Sequence, residues 1–369
     1  MSISYDVLVR EQRRLRLHRW ELPSAEPPPV RVLLVGVCGT DLQILRQARP
    51  DPARVLGHEG LAEVTADDGT VRHVVFNPVD PDNQDDILGH SRDGLLRQLL
   101  PAARTGPLFD VDPALPADIA VLIEPLAAVL YGWELMTTAT AVRDLGVWGA
   151  GSTAVLTALV GELRGVSVRL IHDRPTRLPY LHELGALQST DLRPAPAGAA
   201  DLDAAVLCVP REAAAAALSQ AVAAVRPGGA IDLFGGFTRD DRHPELPGVD
   251  LGAVRRGNVC GRPRPGRVQR ATARAGHTLW LTGHRGTADR HFHAAQQLLL
   301  RHPERFGRVL THVVSLRAAA ALLPRLADSS PRGRAQRERC LKVAVDPFLT
   351  ADRRAPDLTR TVAALRRAG

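Results

Sequence analysis

The sequence predicts an α/β protein: a doubly wound parallel sheet in the middle of the chain, and a mainly β part formed by both chain ends. Three observations carry that reading. Between residues 144 and 235, short apolar runs alternate with helical stretches, the βαβ pattern of a parallel sheet flanked by helices. The sequence up to about residue 115 is instead turn-rich and strand-like. At 369 residues the chain exceeds the size at which one core usually keeps growing, so two domains are expected.

The first 35 residues read as short strands around a proline-rich turn, "ELPSAEPPPVRVLLVGV", in which "VRVLLVGV" is a nearly continuous apolar strand. "NPVDPDNQDD" follows, with Asn, Pro and Asp residues that favour turns. "ADIAVLIEPLAAVLYGWELM" has helical spacing, and "RDLGVWGAGSTAVLTALVGELRG" reads as strand, glycine turn and helix. "VSVRLIHD", "LDAAVLCVP" and "AIDLFGG" are the next strands, separated by helices at "RLPYLHELGA" and "EAAAAALSQAVAAVRPGG". "GHTLWLTGH" closes the sheet and "TADRHFHAAQQLLLRH" returns to helix. In the tail, Leu358, Val362 and Leu365 stand at the spacing of a small amphipathic helix. The expected divisions are 1–132 for the first part of the β-rich domain, 133–285 for the central domain, 286–346 for the return, and 347–369 for the tail.

The formal charge is +7, but Lys342 is the only lysine, so 46 of the 47 basic residues are arginine, interspersed with acids. No nucleic-acid motif accompanies them, and solvated arginine faces are the expectation. The N-terminus has no apolar export signal and no run of 18 apolar residues occurs, so a cytoplasmic protein without a membrane partner is expected. Cys38, Cys208, Cys260 and Cys340 form no C-x-x-C pair, which argues against a disulfide framework or a four-cysteine zinc site.

"GAGSTA" sets Gly149, Gly151 and Ala154 in the G-x-G-x-x-G/A register, with Ser152 and Thr153 opening the helix. The first glycine permits a tight turn, the second admits a pyrophosphate to the backbone, and the small third residue keeps helix and strand close. Asp173, at the end of the next strand, offers a carboxylate to a ribose 2′-hydroxyl, which favours NAD; Arg174 and Arg177 nearby could instead hold the 2′-phosphate of NADP.

"VGVCGTDLQ" places Cys38 between glycines, "VLGHEGLAEV" supplies His58 and Glu59, and "VLIEPLAAVLYG" supplies Glu124. Thiolate, imidazole and carboxylate are the ligand types of catalytic zinc. Singly, these residues read as a buried thiol, a structural histidine and a helix-start charge; together they point to a metal.

In this order and spacing, "GVCGTD", "GHEG", "IEPLA" and "GAGSTA" resemble the zinc-dependent medium-chain dehydrogenases of the alcohol, sorbitol and glucose dehydrogenase type, over roughly residues 25 to 346. The resemblance implies a GroES-like catalytic domain from both chain ends around a Rossmann domain. It implies one catalytic zinc on Cys38, His58 and Glu124, with Glu59 binding the metal or exchanging with its water. Thr40 falls on the hydroxyl that meets the substrate oxygen, and Asp41 on a supporting position. The implied reaction passes a hydride between NAD, or NADP, and a secondary alcohol or ketone of a polyol, sugar or cyclitol-like compound, with specialised biosynthesis as the expected context and a homodimer or homotetramer as the expected assembly. A zinc-free reductase of the same fold and a non-catalytic nucleotide-binding regulator are the rivals.

Three departures stand out. Residues 60 to 123 hold no cysteine, so the family's structural zinc lobe is not expected. Gln43 stands where the family commonly has a relay histidine, and cannot titrate near neutrality. Counted back from "HELGA", His172 rather than Asp173 occupies the usual acid position. His284 and Arg285, in "TGHRG", stand where the family brings its last strand close to the nicotinamide but read as surface-loop residues, and Thr311 and His312 as structural.

Overall fold

The computed structural model describes residues 2–23, 28–66, 68–196, 201–350 and 353–354. The N-terminal stretch forms β1 (Ser2–Glu11), β2 (Arg14–Pro23), β3 (Val30–Gly36), α1 (Gly39–Leu45), β4 (Glu59–Thr65), β5 (Val71–Phe76), β6 (Leu99–Leu100), β7 (Leu108–Asp110) and α2 (Ala117–Ala120). The middle runs through α3 (Ile123–Ala139), β8 (Asp144–Trp148), α4 (Ser152–Leu163), β9 (Ser167–His172), α5 (Arg177–Leu184), β10 (Asp191–Pro194), β11 (Leu202–Leu207), α6 (Arg211–Ala224), β12 (Val225–Asp232), α7 (Leu251–Arg255), β13 (Gln269–Thr272), β14 (Thr278–Thr282) and α8 (Asp289–Arg301). The chain continues with α9 (Pro303–Gly307), β15 (Leu310–Ser315), α10 (Leu316–Ala327), α11 (Pro331–Glu338), β16 (Lys342–Asp346) and β17 (Arg353–Arg354). The helix expected at Leu358, Val362 and Leu365 lies outside the described residues.

Two compact units result, one from Met1–Pro125 with Phe292–Gly369 and one from Leu126–His291. The changeovers, at Pro125/Leu126 and His291/Phe292, fall within α3 and α8, where the sequence reading divides the chain at 132/133 and 285/286. A continuous helix spans each changeover, so no break in local structure marks it.

The first unit joins both chain ends in one sheet, ordered β17-β15-β16-β3-β4-β5-β7, with β6 also on β3. The joint is the antiparallel pairing of β16 with β3, where Ala344 faces Gly36. Val32 and Val35 of β3, Ile44 and Leu45 of α1, and Val343 and Val345 of β16 share one buried cluster. Its apolar content explains why these segments associate across the sequence.

The second unit is a seven-stranded sheet ordered β10-β9-β8-β11-β12-β14-β13, the doubly wound arrangement predicted. All pairings are parallel except β13 with β14. The expected last strand, β14, is therefore not the edge: β13 lies beyond it. Three of the four β13 residues are exposed, so its sequence "QRAT" carries no apolar alternation to announce a strand. The strand order reverses between β8 and β11, the switch point where open α/β sheets bind ligands.

The run Ala117–Ala139 is long and apolar enough by composition to cross a membrane, although Asp118, Glu124 and Glu134 keep it from being an unbroken apolar stretch. Yet 89% of its most apolar window is buried inside the protein, with Tyr131 and Trp133 wholly enclosed. A helix apolar on every side suits a protein core as well as a bilayer.

Candidate functional site

In the first unit, β3 ends at Gly36 and α1 begins at Gly39, so Cys38 occupies the helix N-cap with extended backbone (φ −88°, ψ 154°). Asp41, 2% exposed, organises the neighbourhood. Its Oδ2 accepts from the Cys38 backbone N–H at 2.8 Å and its Oδ1 from the Gly57 N–H at 3.1 Å. The same Oδ1 lies 3.6 Å from His58 Nδ1. Gly57 has φ +93°, and a Cβ there would lie 2.8 Å from Val35, so this turn requires glycine. The turn delivers His58 and then Glu59, the first residue of β4.

One ligand atom each from Cys38, His58 and Glu59 lies within 4.8 Å of the others. Glu124, at the start of α3 and 9% exposed, is not in that triangle, but its charge acts on the same groups. Burial, then repulsion from Glu59, pushes the Glu124 carboxyl up to about 7. For His58, burial favours the neutral form, but Asp41 and Cys38 outweigh it and raise the pKa well above the ordinary range. Asp41 pays for burial too, yet His58 and the Cys38 N–H hold its pKa low. Thr40 and Gln43 follow on α1, both half-buried.

A zinc ion fits these donors. Sulfur, nitrogen and oxygen converge, and His58 Nδ1 is buried without a hydrogen bond while facing the Asp41 carboxylate. A hydrogen bond from Nδ1 to that carboxylate, a small approach from 3.6 Å, would fix the imidazole and leave its other nitrogen for the ion.

Two neighbours escaped the sequence reading. Lys342, 1% exposed, donates from Nζ to Glu59 Oε2. Its only signal was its rarity. His90 packs edge-on against His58, ring centroids 4.7 Å apart; its setting "LGHSRDG" shares the Gly-His pair of "GHEG" but lacks the glutamate after it. Thr311 Oγ1 donates to the Lys342 carbonyl at 2.9 Å, and His312 Nδ1 lies 3.0 Å from that hydroxyl.

In the second unit the glycine turn stands at the switch point. Gly149 has φ +128°, and a Cβ there would meet the Cys208 carbonyl, at the end of β11, at 2.3 Å. Gly151 caps α4 with extended backbone (φ −88°, ψ 178°), and nothing lies within 4 Å of where its Cβ would be. Ser152 and Thr153 are half-buried, and Ala154 is fully buried. The N–H groups at the start of this 12-residue helix thus border open space, the setting in which a helix N-terminus receives an anion.

Asp173 follows β9 with its side chain 75% exposed and 3.2 Å from His172 Nδ1. Arg174 beside it is half-buried. Arg177 is buried, and its Nε and Nη2 donate to the Ala150 carbonyl at 3.2 and 3.1 Å. It braces the turn, a role no local motif announces. His284 corrects the surface-loop reading: it is 3% exposed, packed against Tyr131 and Phe234 with ring centroids at 4.6 and 5.5 Å. Burial holds its pKa well below the ordinary value, with Arg255 adding to the effect. Arg285 is half-buried.

No protein-family profile matches the chain. A glucose 1-dehydrogenase of Thermoproteus tenax is 35% identical over 199 residues, which cover 45% of this chain and 56% of that protein. The chain thus spans little more than half the length of this curated relative. Among solved structures, a short chain alcohol dehydrogenase of E. coli CFT073 complexed with NADH is 17% identical, with a TM-score of 0.67, over 93% of this chain and 99% of that one. A Sinorhizobium meliloti 1021 protein assigned as a zinc-binding dehydrogenase, bound to NADP, is 18% identical, with a TM-score of 0.66, over 94% and 100%. The chain shares the fold of these dehydrogenases.

Proposed function

We propose that the protein is a zinc- and NAD(P)-dependent dehydrogenase that interconverts a secondary alcohol and a ketone on a polyol, sugar or cyclitol-like substrate. The observation that carries this is the convergence of Cys38, His58 and Glu59 within 4.8 Å. The partial likeness to a glucose 1-dehydrogenase supports the sugar-like substrate, and likeness in fold to NADH- and NADP-bound enzymes supports the cofactor. We further propose a cytoplasmic homo-oligomer active on small molecules.

Cys38, His58 and a carboxylate from Glu59 or Glu124 would hold the ion, with Asp41 fixing the imidazole through Nδ1. Bound there, zinc supplies Lewis acidity toward an alcohol or carbonyl oxygen, and the nicotinamide supplies the hydride acceptor or donor. Thr40 would hold the substrate oxygen by hydrogen bonding. Gln43 can orient a water but cannot take up the proton. Gly149, Gly151, Ser152, Thr153 and Ala154 would cradle the pyrophosphate, and Asp173 would meet the ribose. Arg177 is committed to Ala150, which withdraws it from a 2′-phosphate and favours NAD.

Metal analysis of the purified protein, nucleotide titration and a screen of polyols and sugars test this reading. Stoichiometric zinc with NAD(P)-dependent turnover is expected. Turnover without zinc would establish the reductase instead, and nucleotide binding without hydride transfer to any substrate would establish the regulator.

A further inference from the structure

We propose that Lys342 is a positioning residue that clamps one oxygen of Glu59 and presents the other to the metal; this rests on the metal reading given above. Three observations combine. Lys342 is the sole lysine among 47 basic residues. It is 1% exposed, and its ammonium donates to Glu59 Oε2. The pair also crosses β3 over a glycine: Gly36 faces Glu59 of β4 on one side and Ala344 of β16 on the other, and Lys342 lies two residues before Ala344, on the same sheet face. A Cβ on Gly36 would stand 2.7 Å from Glu59 Oε2 and 3.1 Å from Lys342 Cε. The strand between the partners is thus bare where they meet.

Charge accounts for a cation here. The buried ammonium acts on Cys38, Glu59 and Glu124, so it adds positive charge beside side chains that are deprotonated when they hold a metal. Charge alone does not account for lysine. A guanidinium matches a carboxylate with a two-pronged fork and takes both oxygens, whereas an ammonium is a point charge that takes one. In a chain that otherwise uses only arginine, the cation at this carboxylate is the one that leaves an oxygen uncommitted. Glu59 contributes one carboxylate oxygen to the triangle of ligand atoms with Cys38 and His58, and on this proposal that oxygen is Oε1, the one Lys342 does not hold. The structure therefore assigns Glu59 as a ligand through a single oxygen, oriented from behind by Lys342.

The test uses the full-length protein and the metal alone. Cobalt(II) added to metal-free protein should give a thiolate charge-transfer band that Cys38→Ala abolishes; its absence would overturn both the metal reading and this one. Given the band, Lys342→Arg, which keeps the charge, should weaken cobalt binding by about 10–100-fold and alter the visible d–d absorption. An unchanged affinity and spectrum would overturn the clamp while leaving the metal site intact. The natural chain supplies a check that does not depend on the variant folding. Labelled with 15N-lysine, it has one Nζ resonance, which should shift as zinc is added to equivalence, and a resonance that stays in place would overturn the assignment.

Discussion

Gly149 and Gly151 belong to one motif, yet the structure gives them different duties, and alanine substitution at each should separate stability from binding. At Gly149 the backbone sits at φ +128° and a Cβ would lie 2.3 Å from the Cys208 carbonyl. A strained backbone costs about 1–3 kcal/mol, and forcing an atom into a packed site costs about 1–3 kcal/mol more. Gly149→Ala should therefore destabilise the second unit by roughly 2–6 kcal/mol, lowering its melting transition by roughly 5–20 °C for a unit of this size. At Gly151 the backbone is ordinary and nothing stands within 4 Å, so alanine should change stability by less than about 0.5 kcal/mol. A branched side chain there would occupy the space we propose for a pyrophosphate, and Gly151→Val should weaken NAD(H) binding by about tenfold or more, equivalent to ~1.4 kcal/mol. Scanning calorimetry and NADH fluorescence titration read the two effects. A Gly149→Ala protein that melts like the parent, or a Gly151→Val protein that binds NADH as tightly, would refute the reasoning at that position.

Cys38→Ala should abolish zinc retention and turnover while changing nucleotide affinity little; elemental analysis beside NADH titration checks this, and retained zinc with activity would remove Cys38 from the site. Arg177→Ala removes two charged hydrogen bonds to Ala150, and should cost about 1.5–3 kcal/mol and weaken NADH binding, with parental values in both counting against the brace. Asp232, fully buried, has its pKa pushed up to about 6 by burial, despite a hydrogen bond from Thr282. A raised folded-state pKa means the native protein binds the proton more tightly, so this residue's contribution to stability falls as pH rises from about 4 through 6. Asp232→Asn should consequently stabilise the protein at pH 7, by about 1–3 kcal/mol, and flatten stability across that interval. Urea unfolding at several pH values measures it, and a variant less stable at pH 7 would show the carboxylate to be useful as an anion.

Legibility in the sequence followed the range of the cause. The turn at Gly149 and Gly151 could be read because its chemistry is local: a strand, a tight turn and a helix start within ten residues or so. Cys38, His58 and Glu59 were nameable because their short motifs are distinctive in combination, although no local property says that they meet. Lys342 was out of reach. It sits in the plain strand "LKVAV", and its partner lies 283 positions away. The bracing role of Arg177 was hidden for a related reason, since an arginine near a strand end looks available until the fold buries it against Ala150. His284, between a glycine and an arginine, had the local signature of a loop, and the rings of Tyr131 and Phe234 that enclose it come from other segments.

The pairing of β16 with β3 also sets an order of events during synthesis. The second unit is one uninterrupted segment, Leu126–His291, and contains its partners before translation finishes. The first unit cannot close until Ala344 reaches Gly36. Until then, β3 is paired on that side only by β6 at Val30 and Arg31, and its end at Val35 and Gly36 stays open, the kind of edge that recruits other chains. A ribosome stalled before residue 342 would thus carry a second unit able to fold and a first unit prone to aggregate. Slow translation of the last segment should cost yield more than slow translation of the middle.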